Sequence, residues 1–368
     1  MITKHRLPTS LSSVKKILHI ADIHIRLFKR HQEYRDVFES LYKSFRARDL
    51  TNTIIVVAGD VVHSKTDMSP EMVNLASEFL TTLASIAPTL VIPGNHDLNL
   101  ANPSRMDALT PIINNIGNAN LHYLRDSGIY QFANVEFGVH SIIGPQLDWP
   151  SPLDMTGTKI ALYHAPVNKA QTDVGYNVTS RITVEQFNDY DMVLLGDIHR
   201  TQILQEKSIA RPEIAYAGSL IQQNHGEAIT GHGYLVWDVA TSKIEEAVEV
   251  PNTCGYYTLT ISDTKTIPNI DDMPKNVRLR MFVGDVDTTF IKKVQSVIRK
   301  KYNVLECAVN RSAKAKSDTS AQEVFDDMHD VKQQNKYISA FVSAHFPNIE
   351  KAELDKILEI NIKLNERI

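Results

Sequence analysis

The sequence predicts an α/β fold in which layered sheets and helices are followed by a smaller α+β segment and C-terminal helices. In the first half of the chain, short apolar runs rich in β-branched residues alternate with longer amphipathic stretches. This alternation is typical of strands connected by helices. Each apolar run also ends in polar residues, which indicates strands that carry functional groups to one edge of a sheet.

The elements of the first half follow from these runs in chain order. Residues 1–16 lack the apolar run of about seven or more residues that a secretory signal has, and we expect a flexible leader there. The patterns predict strands at 17–22, 53–60, 89–97, 159–166 and 191–199, and helices at 32–48, 70–86 and 104–116. Short runs near 120–124, 129–132 and 135–142 predict antiparallel hairpins.

The pattern changes near residue 250. Strand-like runs at 213–220 and 233–239 precede that point, and runs at 256–261, 277–283 and 302–309 with a helix at 288–301 follow it. A small α+β unit is therefore expected over 250–310. Residues 311–322 are polar and predict a linker. Residues 323–368 predict an amphipathic helical segment that packs on its own domain or on a partner.

Composition restricts the class of protein. The 368 residues are 43% hydrophobic and 22% charged, and they carry a net charge of −4. No stretch approaches the roughly 18 apolar residues of a membrane span, so we expect no membrane contact. The two cysteines, Cys254 and Cys307, are too few for a disulfide framework and favour a reducing, intracellular compartment.

Metal-binding residue types follow five of the predicted strands. Because functional groups just beyond successive strands converge in space, these residues are expected to form one site. Carboxylate, amide and imidazole ligands without thiolates suit Mn²⁺, Mg²⁺ or Fe²⁺, and the ligand types alone leave zinc open as well. Two such ions about 3.5–4 Å apart would clamp a phosphate. The candidate residues are Asp22, His24, Asp60, Asn95, His96, His164, Asp197 and His199.

Two further groups of residues have candidate roles. His96 stands next to a ligand and could protonate or orient the leaving oxygen as a general acid. Arg26, Lys29 and Arg30 follow the first motif and are candidates for binding substrate phosphate. The alternative interpretation of this basic cluster is a solvated helix start.

The ordered motifs Asp-x-His, Gly-Asp, Gly-Asn-His-Asp, a single histidine and Gly-x-x-His resemble the calcineurin-like metallophosphoesterase signature over residues 17–200. Within that superfamily, the stretch GDVVHSK followed by Ser-Pro, the YAGSL run and the NHGE loop resemble the SbcD-type nuclease subunit of recombination-repair complexes. The resemblance implies two sheets flanked by helices over 17–249, a cap over 250–310, and a C-terminal segment over 323–368 for binding an SMC-like ATPase of the SbcC type.

The resemblance also implies roles for individual residues. One ion would be held by Asp22, His24, Asp60 and His199, and the other by Asp60, Asn95, His164 and Asp197. His96 would be the catalytic acid and His63 would position the scissile phosphate. The implied protein is a Mn²⁺-dependent exonuclease and endonuclease in double-strand-break repair. Its partners would be DNA and the ATPase, it would be a homodimer within a heterotetramer, and it would be cytoplasmic or nucleoid-associated.

The sequence departs from the family pattern at two places. Asp197 stands where the family usually has a histidine, and Ile25-Arg26 replaces the small residue usual after the first Asp-x-His. Two alternatives therefore stay open, namely a phosphodiesterase or phosphatase for a smaller substrate, and a catalytically inactive scaffold on the same fold.

Overall fold

The computed structural model describes residues 3–102, 104–144, 149–264 and 266–311, together with residues 335, 338, 339, 342, 351 and 353–358. The chain divides into two compact units, Met1–Arg311 and Ser312–Ile368. The described residues of the second unit are helical. The predicted linker beyond Arg311 and most of the segment 323–368 lie outside the described residues, so both stay predictions.

The strands, in chain order, are β1 (Lys4–Arg6), β2 (Lys16–Ile20), β3 (Thr53–Ala58), β4 (Thr89–Ile92), β5 (Leu121–Tyr123), β6 (Gly128–Phe132), β7 (Val135–His140), β8 (Thr158–His164), β9 (Met192–Gly196), β10 (Gln202–Gln205), β11 (Glu213–Tyr216), β12 (Gly233–Asp238), β13 (Lys243–Glu249), β14 (Cys254–Ile261), β15 (Asn276–Val283) and β16 (Asn303–Arg311). The α-helices are α1 (His31–Arg46), α2 (Pro70–Ile86), α3 (Leu109–Ile116) and α4 (Thr288–Lys301).

Two large sheets lie at the centre of the first unit. One has the strand order β13-β12-β2-β3-β4-β5 and the other β1-β6-β7-β8-β9-β11-β10. Side chains that alternate along β2 and β3 divide between two cores, as the period of a strand requires. Ile17, Ile54 and Val56 face the second sheet, whereas Leu18 and Ile55 pack with the side chains of the helices. The sequence prediction of a layered α/β fold is confirmed.

The helices form where apolar side chains recur at helical spacing. In α1, Tyr34, Phe38 and Leu41 are buried on one face. The α2 helix begins at Ser69, whose hydroxyl accepts a hydrogen bond from the Met72 amide at 3.2 Å, and Pro70 occupies its first turn. These two helices cover the outer face of the six-stranded sheet.

Residues 254–311 form a separate three-stranded parallel sheet, in the order β14-β15-β16, with α4 packed on one face. Its core is separate from the cores of the two large sheets and includes Leu279, Met281 and Val294. We call this sheet with its helix the cap sheet.

Several elements differ from the sequence prediction. Within the expected flexible leader, Lys4–Arg6 pairs in parallel with β6, held by backbone bonds that an apolar pattern cannot reveal. The helix expected at 104–116 begins only at Leu109, because the Asp107 carboxylate accepts from the amides of Leu109 and Thr110 at 3.0 and 2.7 Å. β5 does not form a hairpin but pairs in parallel with β4, since α3 provides the crossover.

Among the described residues, no helix combines the length and apolar character that crossing a membrane requires.

Candidate metal centre

The five predicted ligand segments meet where the two large sheets present the carboxyl ends of their strands. β2, β3 and β4 run in parallel as neighbours, and β8 and β9 do the same in the other sheet. The chain leaving β2 stays beside the chain leaving β3, because the Asp22 amide donates to the Gly59 carbonyl at 3.1 Å and the His24 amide to the Asp60 carbonyl at 2.9 Å. Parallel pairing thus continues into the loops that carry the ligand-type residues.

One group of donors surrounds the ring of His24. Its Nε2 atom lies 3.0 Å from Nε2 of His199, 3.5 Å from Oδ2 of Asp60 and 3.9 Å from Oδ1 of Asp22. The ligand atoms of Asp22, His24 and His199 all lie within 4.8 Å of one another. Two imidazole nitrogens at 3.0 Å would repel each other if both rings were charged, whereas a cation between them would be bound by their lone pairs.

A second group surrounds the ring of His164. Its Nε2 atom lies 3.2 Å from Oδ1 of Asn95, 3.4 Å from Oδ2 of Asp60 and 3.9 Å from Oδ1 of Asp197. The structure therefore brings together the seven residues that the resemblance implies as ligands. Their roles as ligands stay predictions.

Asp60 belongs to both groups. Its Oδ2 atom is 3.5 Å from Nε2 of His24 and 3.4 Å from Nε2 of His164, so one carboxylate faces both centres. Its Oδ1 atom accepts a hydrogen bond from the His96 amide at 2.8 Å. This side chain is buried and placed where a carboxylate could bridge two cations.

The tautomers of three histidines follow from their partners. Nδ1 of His164 lies 2.6 Å from the Ala58 carbonyl, Nδ1 of His96 lies 2.6 Å from the His63 carbonyl, and Nδ1 of His199 lies 2.8 Å from Oε1 of Glu227. Carbonyl and carboxylate oxygens only accept, so each Nδ1 carries the proton. Nε2 of His164 and His199 is therefore the atom available to a metal, as in other metal-binding histidines.

Three glycines make room for the ring of His164. A Cβ atom added to Gly59 would lie 2.2 Å from its Nδ1, one added to Gly196 would lie 2.6 Å from the same atom, and one added to Gly94 would lie 2.6 Å from its Nε2. At Gly94 the added atom would also lie 2.0 Å from Oδ1 of Asp60. The glycines that precede ligand-type residues are therefore required by the closeness of the backbone to the site.

The backbone at four of the ligand positions is left-handed. Asp22, His24 and Asp60 have φ values of 53°, 52° and 53°, and Asp197 has 100°. Aspartate and histidine are among the few residues with a side chain that occur in this region with some frequency. Each strand thus ends in a sharp change of direction at the residue that faces the site.

Burial removes the carboxyl groups of Asp22 and Asp197 from water and so disfavours their charged form. Burial raises the pKa of the Asp22 carboxyl to about 7, although His164 and His199 oppose the shift. Burial opposes the charge of His199, but its bond to Glu227 and the nearby acids raise its pKa to about 9. Several carboxylates at such a distance from water need compensating positive charge. Two divalent cations held by the oxygen and nitrogen donors described above fit this requirement.

His63 and His96 lie beside the metal-binding groups. Their rings stack with centroids 5.4 Å apart, and the centroid of His24 is 4.7 Å from that of His96. Burial and the neighbouring Arg26 lower the pKa of His63 to about 4, so its ring is neutral at neutral pH. Nη1 of Arg26 donates to Nε2 of His63 at 3.2 Å, and Nδ1 of His63 consequently carries a proton. This Nδ1 has no hydrogen-bond partner among the described residues.

The three basic residues nominated for substrate binding have different surroundings. Arg26 is half-buried against His63, and Lys29 is exposed. Arg30 cannot bind substrate, because its side chain is 3% exposed and its Nε and Nη2 atoms donate to the two oxygens of Glu33 at 2.9 and 2.8 Å. The run of basic residues in the sequence could not show whether Arg30 forms a buried ion pair or lies on the surface.

Two acids at the site were missed by sequence reasoning. Asp97 is buried and accepts hydrogen bonds from the amides of Gly94 at 2.8 Å and Val62 at 3.0 Å, so it fixes the turn that carries Asn95. The sequence did indicate Asp97, because it is the last residue of the Gly-Asn-His-Asp motif. Glu227, which bonds to His199, is the last residue of the NHGE loop, which was noted for its resemblance but was given no role at the site.

Comparison with known proteins was consistent with this geometry. A family model described as calcineurin-like phosphoesterase matches residues 15–201, a span that contains all seven ligand-type residues. The chain is also 38% identical over 371 residues to an uncharacterized protein of Acanthamoeba polyphaga mimivirus, with the alignment covering 98% of this chain and 27% of the viral protein. The chain thus spans about a quarter of the length of that relative.

Proposed function

The chain belongs to the calcineurin-like phosphoesterase family and is a metal-dependent phosphoester hydrolase; on this premise we propose that its substrate is DNA. The proposed activity is that of a Mn²⁺-dependent exonuclease and endonuclease similar to the SbcD-type subunit. The observation that carries the proposal is the pair of His63 and Arg26 beside His96. A phosphodiester within a polymer needs groups outside the metal ligands to hold the scissile phosphate and its neighbours.

The metal centre is assigned on the donor geometry. Asp22, His24, Asp60 and His199 would hold one cation, and Asp60, Asn95, His164 and Asp197 the other. When bound, the two cations supply positive charge that orients the phosphate and stabilises the attacking and leaving oxygens. Asp197 adds an oxygen donor, which favours a hard cation such as Mn²⁺ or Mg²⁺.

His96 is the group proposed to move a proton. Its Nδ1 atom donates to the His63 carbonyl, and its amide donates to Asp60, so the ring is held in one orientation. Nε2 is then the atom that can give a proton to the leaving oxygen. His63 would help to position the scissile phosphate, and its neutral ring adds no positive charge to the site.

The partners are proposed from the sequence. The amphipathic repeat in 323–368, in which Tyr337, Phe341 and Val342 recur at helical spacing, supports a segment that docks on an SMC-like ATPase of the SbcC type. A homodimer within a heterotetramer, and a cytoplasmic or nucleoid-associated location, belong to the same proposal.

Nuclease assays on the purified full chain test the proposed substrate. Linear duplex DNA and the small diester bis(p-nitrophenyl) phosphate are each incubated with the protein in Mn²⁺, with and without the candidate ATPase. We expect both substrates to be hydrolysed by the wild type. His96→Ala should lose hydrolysis of DNA, whose leaving alkoxide needs a proton, but should keep activity on the small diester, because p-nitrophenolate leaves without one. His5→Ala is the matched control, because His5 is exposed and lies on β1. Hydrolysis of the small diester with DNA untouched under every condition would refute the nuclease and favour a phosphodiesterase for a smaller substrate.

A further inference from the structure

The loop 222–227, with the sequence QQNHGE, lies between the metal centre and the cap sheet; we call it the Glu227 loop. Its last residue, Glu227, is 6% exposed. Oε1 of Glu227 accepts from Nδ1 of His199 at 2.8 Å and from Nδ2 of Asn224 at 2.7 Å, and Oε2 accepts from the Gln223 amide at 2.6 Å. One side chain thus satisfies three donors.

Only a carboxylate can serve these donors at once. The three N–H groups approach two different oxygens, and a carboxylate has acceptor sites on both. An amide in the same place would keep one acceptor oxygen and present an NH₂ group at the other position. Either the Gln223 amide or the two donors at Oε1 would then face another donor. The requirement for glutamate therefore follows from hydrogen-bond complementarity alone.

The Glu227 loop is held firmly on its two sides. Toward the cap sheet, Oε1 of Gln222 accepts from the Tyr256 amide at 2.7 Å, and Nε2 of Gln222 donates to the Tyr256 carbonyl at 3.2 Å. Toward the metal centre, Nη2 of Arg26 donates to the Gln223 carbonyl at 3.2 Å. Nε2 of Gln222 also donates to the carbonyl of Glu227 itself at 3.0 Å. The position of the Glu227 carboxylate is consequently set from both sides.

We infer that Glu227 is a positioning residue that fixes the ring of His199 with Nε2 directed at the cation, and that the cap sheet supports this position through Gln222. The inference rests on the proposed metal centre, because it takes His199 as a ligand. A carboxylate that accepts from the distal nitrogen of a metal-binding histidine sets its tautomer and the direction of its ring, and loss of such a partner typically lowers metal affinity about 10- to 100-fold.

Calorimetric titration of the metal-free full chain with Mn²⁺ tests the inference. Glu227→Gln should weaken the binding of one ion about 10- to 100-fold. Glu227→Asp, which keeps the charge and both oxygens but is shorter by one methylene, should fall between it and the wild type. Glu185→Gln is the matched control, since Glu185 is an exposed glutamate with 62% of its side chain accessible, and it should bind Mn²⁺ like the wild type.

A second measurement separates positioning from general structural support. In protein loaded with diamagnetic Zn²⁺, the Nδ1 proton of His199 should give a slowly exchanging imidazole signal in proton NMR, assigned by its loss in His199→Ala. Glu227→Gln should lose or broaden this signal while the backbone spectrum stays folded. If Glu227→Gln does not fold, Glu227→Asp and Asn224→Ala are measured in the same two assays.

The outcomes distinguish this inference from the proposed metal centre. Folded Glu227 variants with wild-type Mn²⁺ affinity and an unchanged imidazole signal would overturn the positioning role if His199→Ala loses one ion. If His199→Ala also binds both ions as tightly as the wild type, His199 is not a ligand, and the assignment of the metal centre fails with the inference.

Discussion

Replacing Glu33 by glutamine should lower the free energy of unfolding by about 3–5 kcal/mol, the range found when one partner of a buried ion pair is removed. Both oxygens of Glu33 accept from Arg30, Nη1 of Arg278 lies 2.8 Å from its Oε2 atom, and Nδ2 of Asn252 donates to its Oε1 atom at 3.0 Å. The Glu33 side chain is 3% exposed and that of Arg278 7%. The variant leaves the buried guanidinium of Arg30 without a carboxylate, and leaves that of Arg278 with only the exposed Glu306, 3.7 Å away.

Urea titration of the full chain, followed by circular dichroism, measures the effect. Glu39→Gln is the matched control, because Glu39 is exposed on the same helix α1, and its change should stay within about 0.5 kcal/mol. Arg30→Ala should be destabilised in the same way while its KM for bis(p-nitrophenyl) phosphate stays that of the wild type. A loss below about 1 kcal/mol for Glu33→Gln would show that the ion pair does not stabilise the contact between α1 and the cap sheet.

The same ion pair has a pH dependence of defined sign. Burial opposes the charge of Glu33, but the bonds and charge of Arg30 outweigh it and hold the pKa of this carboxyl below its ordinary value of 4.5. A lowered pKa gives stability that is fully present above the unfolded value and is lost as the pH falls through the folded value. The stability difference between the wild type and Glu33→Gln should therefore be constant near neutral pH and shrink below about pH 4.5.

Three further predictions concern the metal centre. His96→Ala should lower kcat for DNA about 10²- to 10⁴-fold with unchanged Mn²⁺ affinity, as measured with linear duplex DNA and by calorimetry; a parallel loss of metal would make His96 a ligand instead. Gly94→Ala should abolish binding of at least one ion, because its Cβ would lie 2.0 Å from Oδ1 of Asp60, and calorimetry showing two tightly bound ions would refute this. Mn²⁺ affinity should fall as the pH is lowered from about 9 to about 6, because Asp22 and His199 must lose protons to bind the metal. Their pKa values in the metal-free chain are about 7 and about 9. Calorimetric titrations that give equal Mn²⁺ affinity across this pH range would contradict the prediction.

The layered fold could be predicted because its central strands are buried on both faces. Such strands appear as continuous apolar runs, as Thr53–Ala58 and Met192–Gly196 do. The strands that were missed lack this property. Gln202–Gln205 and Lys243–Glu249 are edge strands whose side chains are exposed or only partly buried, so their sequences carry few of the apolar residues that a pattern search detects.

The ligand-type residues could be nominated because each directly follows a predictable strand. Because the carboxyl ends of parallel strands meet at one edge of a sheet, these residues can be expected to lie close together even when the paths of the loops are unknown. The position of Glu227 depends instead on the path of a loop and on its contact with Tyr256 in another sheet, and nothing in the local spacing encodes that contact. The expectation that Arg30 binds substrate has a related weakness. Its partner Glu33 is near in sequence, but the burial of this pair depends on Arg278 of the cap sheet.

The left-handed backbone at four ligand positions has a consequence for the metal-free protein. A residue with a side chain held in this conformation costs roughly 1–3 kcal/mol, and glycine relieves that cost. Substituting glycine at Asp22 or Asp197, whose carboxyls burial disfavours in the charged form, should therefore raise the melting temperature of the metal-free chain while abolishing catalysis. The protein would then be one in which natural selection has retained a less stable backbone for the sake of its chemistry.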